Sequence, residues 1–226
     1  MATFAFIHGG GDVGWYWHLV VNELRARGHD TVAPDLPCDD DSATLSDYAD
    51  TVVRAVDGRR DVVVVAQSYG GFTAPLVADR LPVDALVLVT AMIPAPGEKP
   101  ADWWNSTGYG DALREQAERD GGLTGNDDPL VAFYHDVPRA LAEKAMSRSR
   151  GESEAAYNTP WPLDAWPAVP TRFVLCTQDR FFPEAFMRRV VAERLGVVPK
   201  EIEAGHCVAL SRPHELADLL VGDAAS

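Results

Sequence analysis

Short runs of β-branched and other apolar residues, each closed by turn-forming residues, alternate with segments of helical periodicity along most of the chain. The runs at 3–7 (TFAFI), 61–66 (DVVVVA), 85–90 (ALVLVT) and 172–177 (RFVLCT) are too short for helices and are apolar on both alternating sides. A strand needs that character only when both of its faces are covered, as in a parallel sheet flanked by helices. Residues 31–33 and 198–202 are weaker strand candidates. Between the strands, Leu45, Tyr48, Ala49, Val52, Val53 and Val56 recur at helical spacing behind Thr44 and Asp47, a capping pair. Further helices are expected over 15–27, 70–80, 183–195 and 213–221. This alternation predicts an α/β fold with about six mostly parallel strands and helices on both faces.

The rhythm fails once. Residues 94–170 hold no strand pattern, only two short helical patterns near 111–119 and 138–148 amid proline, glycine and aromatic residues. A connection this long within a compact domain is usually functional. It is read as a small helical cap inserted into a single domain spanning 1–226, a length that suits one domain.

Composition narrows the function classes. Twenty basic against thirty-four acidic residues give a net charge of −14, with no basic stripe to release counterions from nucleic acid or anionic lipid. Neither nucleic acid nor membrane is therefore expected as a partner. Cys38, Cys176 and Cys207 are odd in number and form no CxxC pair, against a disulfide framework or a zinc ribbon. The absence of a basic n-region, and of any apolar run near the ~18–20 residues of a membrane span, predicts a cytoplasmic protein.

Three segments carry chemistry. Val62–Gly71 (VVVVAQSYGG) runs a β-branched strand through Ser68 into a helix, with the small residues Ala66 and Gly70 two positions either side. That context forces a serine onto a sharp, exposed apex at a helix N-terminus, which favours developing negative charge. An ordinary serine in a βα turn leaves the same string. Phe6–Trp17 (FIHGGGDVGWYW) follows the first strand, and its consecutive glycines let backbone N–H groups face a pocket, as an oxyanion hole needs. The same glycines lack the spacing and lysine of a P-loop. They satisfy GxGxxG only loosely, through Gly9, Gly11 and Gly14, and Asp35 alone is available for a ribose hydroxyl. In the third segment, Asp179 lies just past a strand end and His206 follows the last weak strand, 27 positions on. The order Ser, Asp, His at successive strand ends is that of the nucleophile-elbow hydrolases.

Other candidates are weaker. His135 beside Asp136 reads as a solvated helix start, and His18, His29 and His214 have surface or loop contexts. The run Cys38–Ser42 (CDDDS) lacks the glycine turn and terminal glutamate of a calcium loop and reads as solvated. No HExxH or other metal cluster is present, so neither metal nor cofactor is expected. Cys207 has no oxyanion loop of its own, and Ala91, Met92 and Ile93 offer no second acid after the 85–90 strand.

From residue 3 to about 220 the sequence resembles the α/β-hydrolase superfamily. His8-Gly9-Gly10 followed by Trp15 and Trp17 is similar to the small-cap branch of plant methylesterases and hydroxynitrile lyases. The run 205–220 (GHCVALSRPHELADLL) is similar to the ends of those enzymes and of short bacterial hydrolases. The resemblance implies that Ser68 is the nucleophile, His206 the base and Asp179 its acid, with the N–H groups of Gly10 and Tyr69 as the oxyanion hole. It also implies that His8 props the glycine loop. Two departures stand out: Ala66 replaces the first glycine of the elbow, and the chain opens at what would be the family's third strand, so the early antiparallel hairpin is expected to be missing. In the hydroxynitrile lyases a lysine follows the catalytic histidine, where this chain has Cys207. The haloalkane-dehalogenase and epoxide-hydrolase branches carry an aspartate where Ser68 stands.

The expected function is cofactor-independent hydrolysis of small uncharged carboxylic esters, small molecules attacked by Ser68 through an acyl-enzyme. A non-hydrolytic lyase and a ligand-binding receptor or pseudoenzyme are the alternatives on the same fold. The cap's aromatic residues, Trp103, Trp104, Tyr109, Phe133, Tyr134, Tyr157, Trp161 and Trp166, either enclose an apolar pocket or fasten the cap to the core, in about equal shares. Acidic residues outnumber basic ones thirteen to seven over 97–165, against anionic substrates.

Overall fold

A computed structural model describes residues 1–222. Six strands form one sheet in the order β2-β1-β3-β4-β5-β6, and every pairing is parallel. In chain order, β1 (Thr3–Ile7), α1 (His18–Ala26), β2 (Asp30–Val32), α2 (Leu45–Val56), β3 (Val62–Gln67), α3 (Ala74–Arg80) and β4 (Ala85–Val89) form the first half. Then come α4 (Pro100–Ser106), α5 (Tyr109–Asp120), α6 (Pro129–Ala132), α7 (Arg139–Met146) and α8 (Glu154–Asn158). The chain returns through β5 (Thr171–Cys176), α9 (Glu184–Arg194), β6 (Lys200–Ile202), α10 (Val208–Ser211) and α11 (Pro213–Gly222). No helix among the described residues is long and apolar enough to cross a membrane.

The period-2 pleat divides the apolar runs between two cores. Phe4 and Phe6 of β1, with Val63 and Val65 of β3, face α1, α10 and α11. Ala5, Ile7, Val62, Val64 and Ala66 face α2, α3 and α9. The central strands are buried on both sides, which explains their unbroken apolar sequences. The Thr44–Asp47 pair forms the expected capping box on α2: each residue's side chain accepts from the other's backbone N–H.

Local breaks separate two of the expected helices from the observed ones. Instead of one helix over 15–27, a 3₁₀ turn at Gly14–Trp17 precedes α1. Likewise Ser68–Phe72 is a 3₁₀ turn, and α3 begins only at Ala74, where Pro75 occupies a first-turn position that needs no N–H donor. Between β4 and β5 there are five helices rather than two. The short ones start at signals the periodicity did not reveal: Pro100 and Pro129 at helix N-termini, and the side chains of Asp128 and Ser153 capping α6 and α8. Strand order reverses beside β1, since β2 flanks one edge of it and β3 the other. Crevices of open α/β sheets form at the carboxyl ends of strands flanking such a switch. The glycine loop after β1 and Ser68 after β3 both lie there.

Candidate active site

Ser68 is the first residue after β3 and has φ +50°, the left-handed region that costs a non-glycine residue about 1 kcal/mol or more. The turn is tight because Gly70 passes under β1: a Cβ there would lie 2.7 Å from the His8 carbonyl oxygen. Ala66, in place of a glycine, pairs in the ladder with Ile7 and Leu88. His206 follows β6, and its Nε2 is 3.1 Å from Ser68 Oγ. Its Nδ1 is 2.8 Å from Asp179 Oδ2, in the loop after β5. All three residues are buried.

The Asp179 carboxylate is fully engaged. Oδ1 accepts the backbone N–H groups of Phe181 and Phe182 at 2.8 and 2.9 Å, and Oδ2 also accepts the Thr90 hydroxyl at 2.6 Å. Thr90, just past β4 with φ +40°, went unrecognised in the sequence, where only a second carboxylate was sought at that strand end. The Gln67 amide donates to the His206 carbonyl, while the rings of Phe181, Phe182 and Phe133 stand edge-on around the imidazole. An imidazole so oriented, between a carboxylate and a hydroxyl, can take the hydroxyl's proton and return it to a leaving group.

Gly10 and Tyr69 both line the pocket in front of Ser68. Tyr69 belongs to the first turn after β3, where N–H groups have no helical acceptor, and the Gly10 N–H makes no backbone hydrogen bond among the described residues. The glycine loop is held from three sides. His8 bonds the Gly9 carbonyl through Nδ1 and accepts the Leu36 N–H at Nε2, Asp35 accepts the Gly14 N–H, and the Gly11 carbonyl accepts from Ser149 Oγ and the Arg150 N–H. His135 is not a solvated helix start: it lies in the turn after α6, with Nε2 3.0 Å from the Gln178 carbonyl, while its neighbour Asp136 accepts the Gly205 N–H. Cys207 is buried, and burial raises its thiol well above the ordinary range.

The pocket encloses about 530 Å³. Of the eight aromatic residues between β4 and β5, Trp104, Phe133, Tyr134 and Tyr157 line it. Trp103 and Trp161 are instead sealed in the core, their indole N–H groups donated to the carbonyls of Ile93 and Phe72. Two carboxyls that line the same pocket, Asp12 and Glu152, were missed in the sequence. Burial pushes Asp12 up to about 7, against a smaller downward pull from His206. Burial also pushes Glu152 up to about 7, although the Tyr48 hydroxyl donates to its Oε1 at 2.6 Å.

A carboxyl raised by folding keeps its proton in the folded state where the unfolded chain has shed it, so stability falls as pH climbs from about 4 to about 7. Asp12→Asn is therefore expected to match the wild type near pH 4 and to exceed it above pH 7 by about 2 to 4 kcal/mol. Urea unfolding at the two pH values measures this. An equal gain at both would mean that charge burial is not its source.

A family model described as the alpha/beta hydrolase family matches residues 4–219. The probable esterase PIR7A of Oryza sativa subsp. indica is 29% identical, the alignment covering 98% of this chain and 96% of that protein. Methylesterase 7 of Arabidopsis thaliana is 27% identical, over 96% of this chain and 94% of its own. The crystal structure of polyneuridine aldehyde esterase superposes with a TM-score of 0.78 over 99% of both chains at 21% identity, a likeness of fold.

Proposed function

The chain belongs to the alpha/beta hydrolase family, and from that membership we propose that it is a serine esterase acting on small carboxylic esters that carry no negative charge. The similarity to proteins named esterase and methylesterase supports ester hydrolysis. The observation that carries the mechanism is the relay from Ser68 Oγ to His206 Nε2 and from His206 Nδ1 to Asp179 Oδ2. Ser68 Oγ attacks the carbonyl carbon as its proton passes to His206 Nε2, and the N–H groups of Gly10 and Tyr69 receive the oxyanion. The tetrahedral species collapses, the C–O bond to the alcohol breaks, and His206 returns the proton to the departing oxygen. Water then attacks the acyl-serine, losing its proton to His206, and Ser68 leaves with that proton as the acid is released. Asp179 holds the imidazole in the required tautomer and balances its transient charge. The segment between β4 and β5 acts as a cap whose aromatic wall limits substrate size.

A fluorophosphonate probe is expected to modify Ser68 stoichiometrically, and p-nitrophenyl esters to be cleaved best from acetyl to about hexanoyl, without a rate jump at the micellar concentration. Peptide mass spectrometry and chain-length profiling check both. An unmodified Ser68 would favour a receptor, and peak activity on long acyl chains would remove the small-pocket reading. Because Cys207 is neutral and lies where departing cyanide would need a cation, mandelonitrile is expected to release negligible cyanide beside ester turnover. Comparable cyanide release would favour a lyase.

A further inference from the structure

The pocket holds two carboxyls and no lysine or arginine in its lining. Asp12 stands one residue past Gly11, and its carboxyl accepts no hydrogen bond among the described residues. Its electrostatic neighbours are the imidazole of His206, the hydroxyls of Tyr16 and Tyr134 and the thiol of Cys207. Across the glycine loop, Glu152 Oε2 is buried without a partner. The nearby cations are engaged elsewhere: Arg150 pairs with Asp35 and Asp39, and Lys144 and Arg148 lie over the Trp15 ring. A half-buried carboxylate with no cation beside it is costly to ionise, and a bound cation offsets that cost. The adjoining walls carry aromatic rings, whose faces attract cations. His206 returns its proton to the alcohol oxygen, so a group beside His206 faces the alcohol half of the ester.

Building on the serine-esterase reading, we propose that the pocket selects esters whose alcohol half carries a protonated amine or quaternary ammonium, held by the Asp12 carboxylate against Phe133 and Tyr134. The uncharged substrate expected from the sequence is thereby replaced, while the bar to anions stays. Glu152 adds to the negative potential from the far side of the loop, without touching the cation. Ammonium binding also favours the ionised form of Asp12, so the carboxyl is a full partner at neutral pH.

The test compares 2-(trimethylammonio)ethyl acetate with 3,3-dimethylbutyl acetate, which match in shape and differ in one charge. At about pH 8, wild-type kcat/KM is expected to favour the cation by about tenfold or more, as one good desolvated cation contact would give. Asp12→Asn should bring the ratio to within about twofold of unity, and Glu152→Gln should lower it less. The ratio within each protein cancels any general loss of activity. Calorimetric binding of both esters to Ser68→Ala repeats the comparison without turnover. Hydrolysis of both esters with a wild-type ratio of one or below, or a ratio unmoved in Asp12→Asn, overturns amine selection and leaves the esterase reading intact. A fluorophosphonate-inert Ser68 in a protein that still binds the cation over its isostere leaves amine selection standing and overturns the hydrolytic reading.

Discussion

Ser68→Ala is expected to lower kcat/KM for p-nitrophenyl acetate by about 10³-fold or more, and His206→Ala and Asp179→Asn by comparable amounts, with double variants falling little further. The losses are not expected to add, because in the proposed mechanism the three side chains perform one proton relay: without Ser68 there is no nucleophile for His206 to activate, and without His206 the hydroxyl keeps its proton. Asp179→Asn is the most informative. Oδ2 accepts from both Thr90 Oγ1 and His206 Nδ1, and Oδ1 accepts two backbone N–H groups. An amide nitrogen at either position faces a donor with a donor, and the imidazole loses the partner that fixes its tautomer. Steady-state kinetics on variants shown to be folded by circular dichroism decide the matter. Wild-type turnover in folded Ser68→Ala would eliminate the mechanism.

Gly71→Ala should be the most damaging single methyl added to the protein. Its Cβ would stand 1.9 Å from the Met92 carbonyl oxygen and 2.9 Å from the Met92 carbonyl carbon, both backbone atoms. Relief requires the turn after β3 and the segment after β4 to part. They are joined by the Met92 N–H donating to the Ser68 carbonyl at 2.9 Å, so Ser68 moves with the turn. A loss of about 3 kcal/mol is expected from forced overpacking, and about 10²-fold in kcat from a displaced nucleophile. Gly110→Ala is the control. That glycine lies exposed in α5, nothing stands within 4 Å of an added Cβ, and the change should stabilise by about 0.5 to 1 kcal/mol. Urea unfolding measures both. A Gly71→Ala protein within about 1 kcal/mol of wild type would show that the backbones separate freely.

The strands were legible because a sheet covered on both faces demands unbroken apolar runs, which few other structures tolerate. Asp179 and His206 were legible for a related reason: loops at the carboxyl ends of parallel strands converge on one edge, so chain order translates into proximity. What the sequence hid depends on tertiary neighbours. Thr90 is an ordinary residue until β5 brings Asp179 beside it. Asp12 reads as a polar residue in a glycine turn, and Glu152 as one of many acidic residues between β4 and β5. Only the fold partly buries both in one pocket. The helices after β4 were undercounted because α6 and α8 span four and five residues, too short for periodicity. Their caps, Asp128 before Pro129 and Ser153 before Glu154, were the available signal.

The separation of the reacting groups along the chain has a consequence for assembly. Ser68 and His206 lie 138 positions apart, and Asp179 and Thr90 lie 89 apart. No fragment of the polypeptide holds a working fraction of the site, and parallel pairing delays its ordering further, because each long loop must close before any contact rewards it. Helical signal during refolding is therefore expected to return before turnover does. On the proposed mechanism, turnover is expected to return only when the last strand has docked, which would make the chemistry itself a clock for the completion of folding.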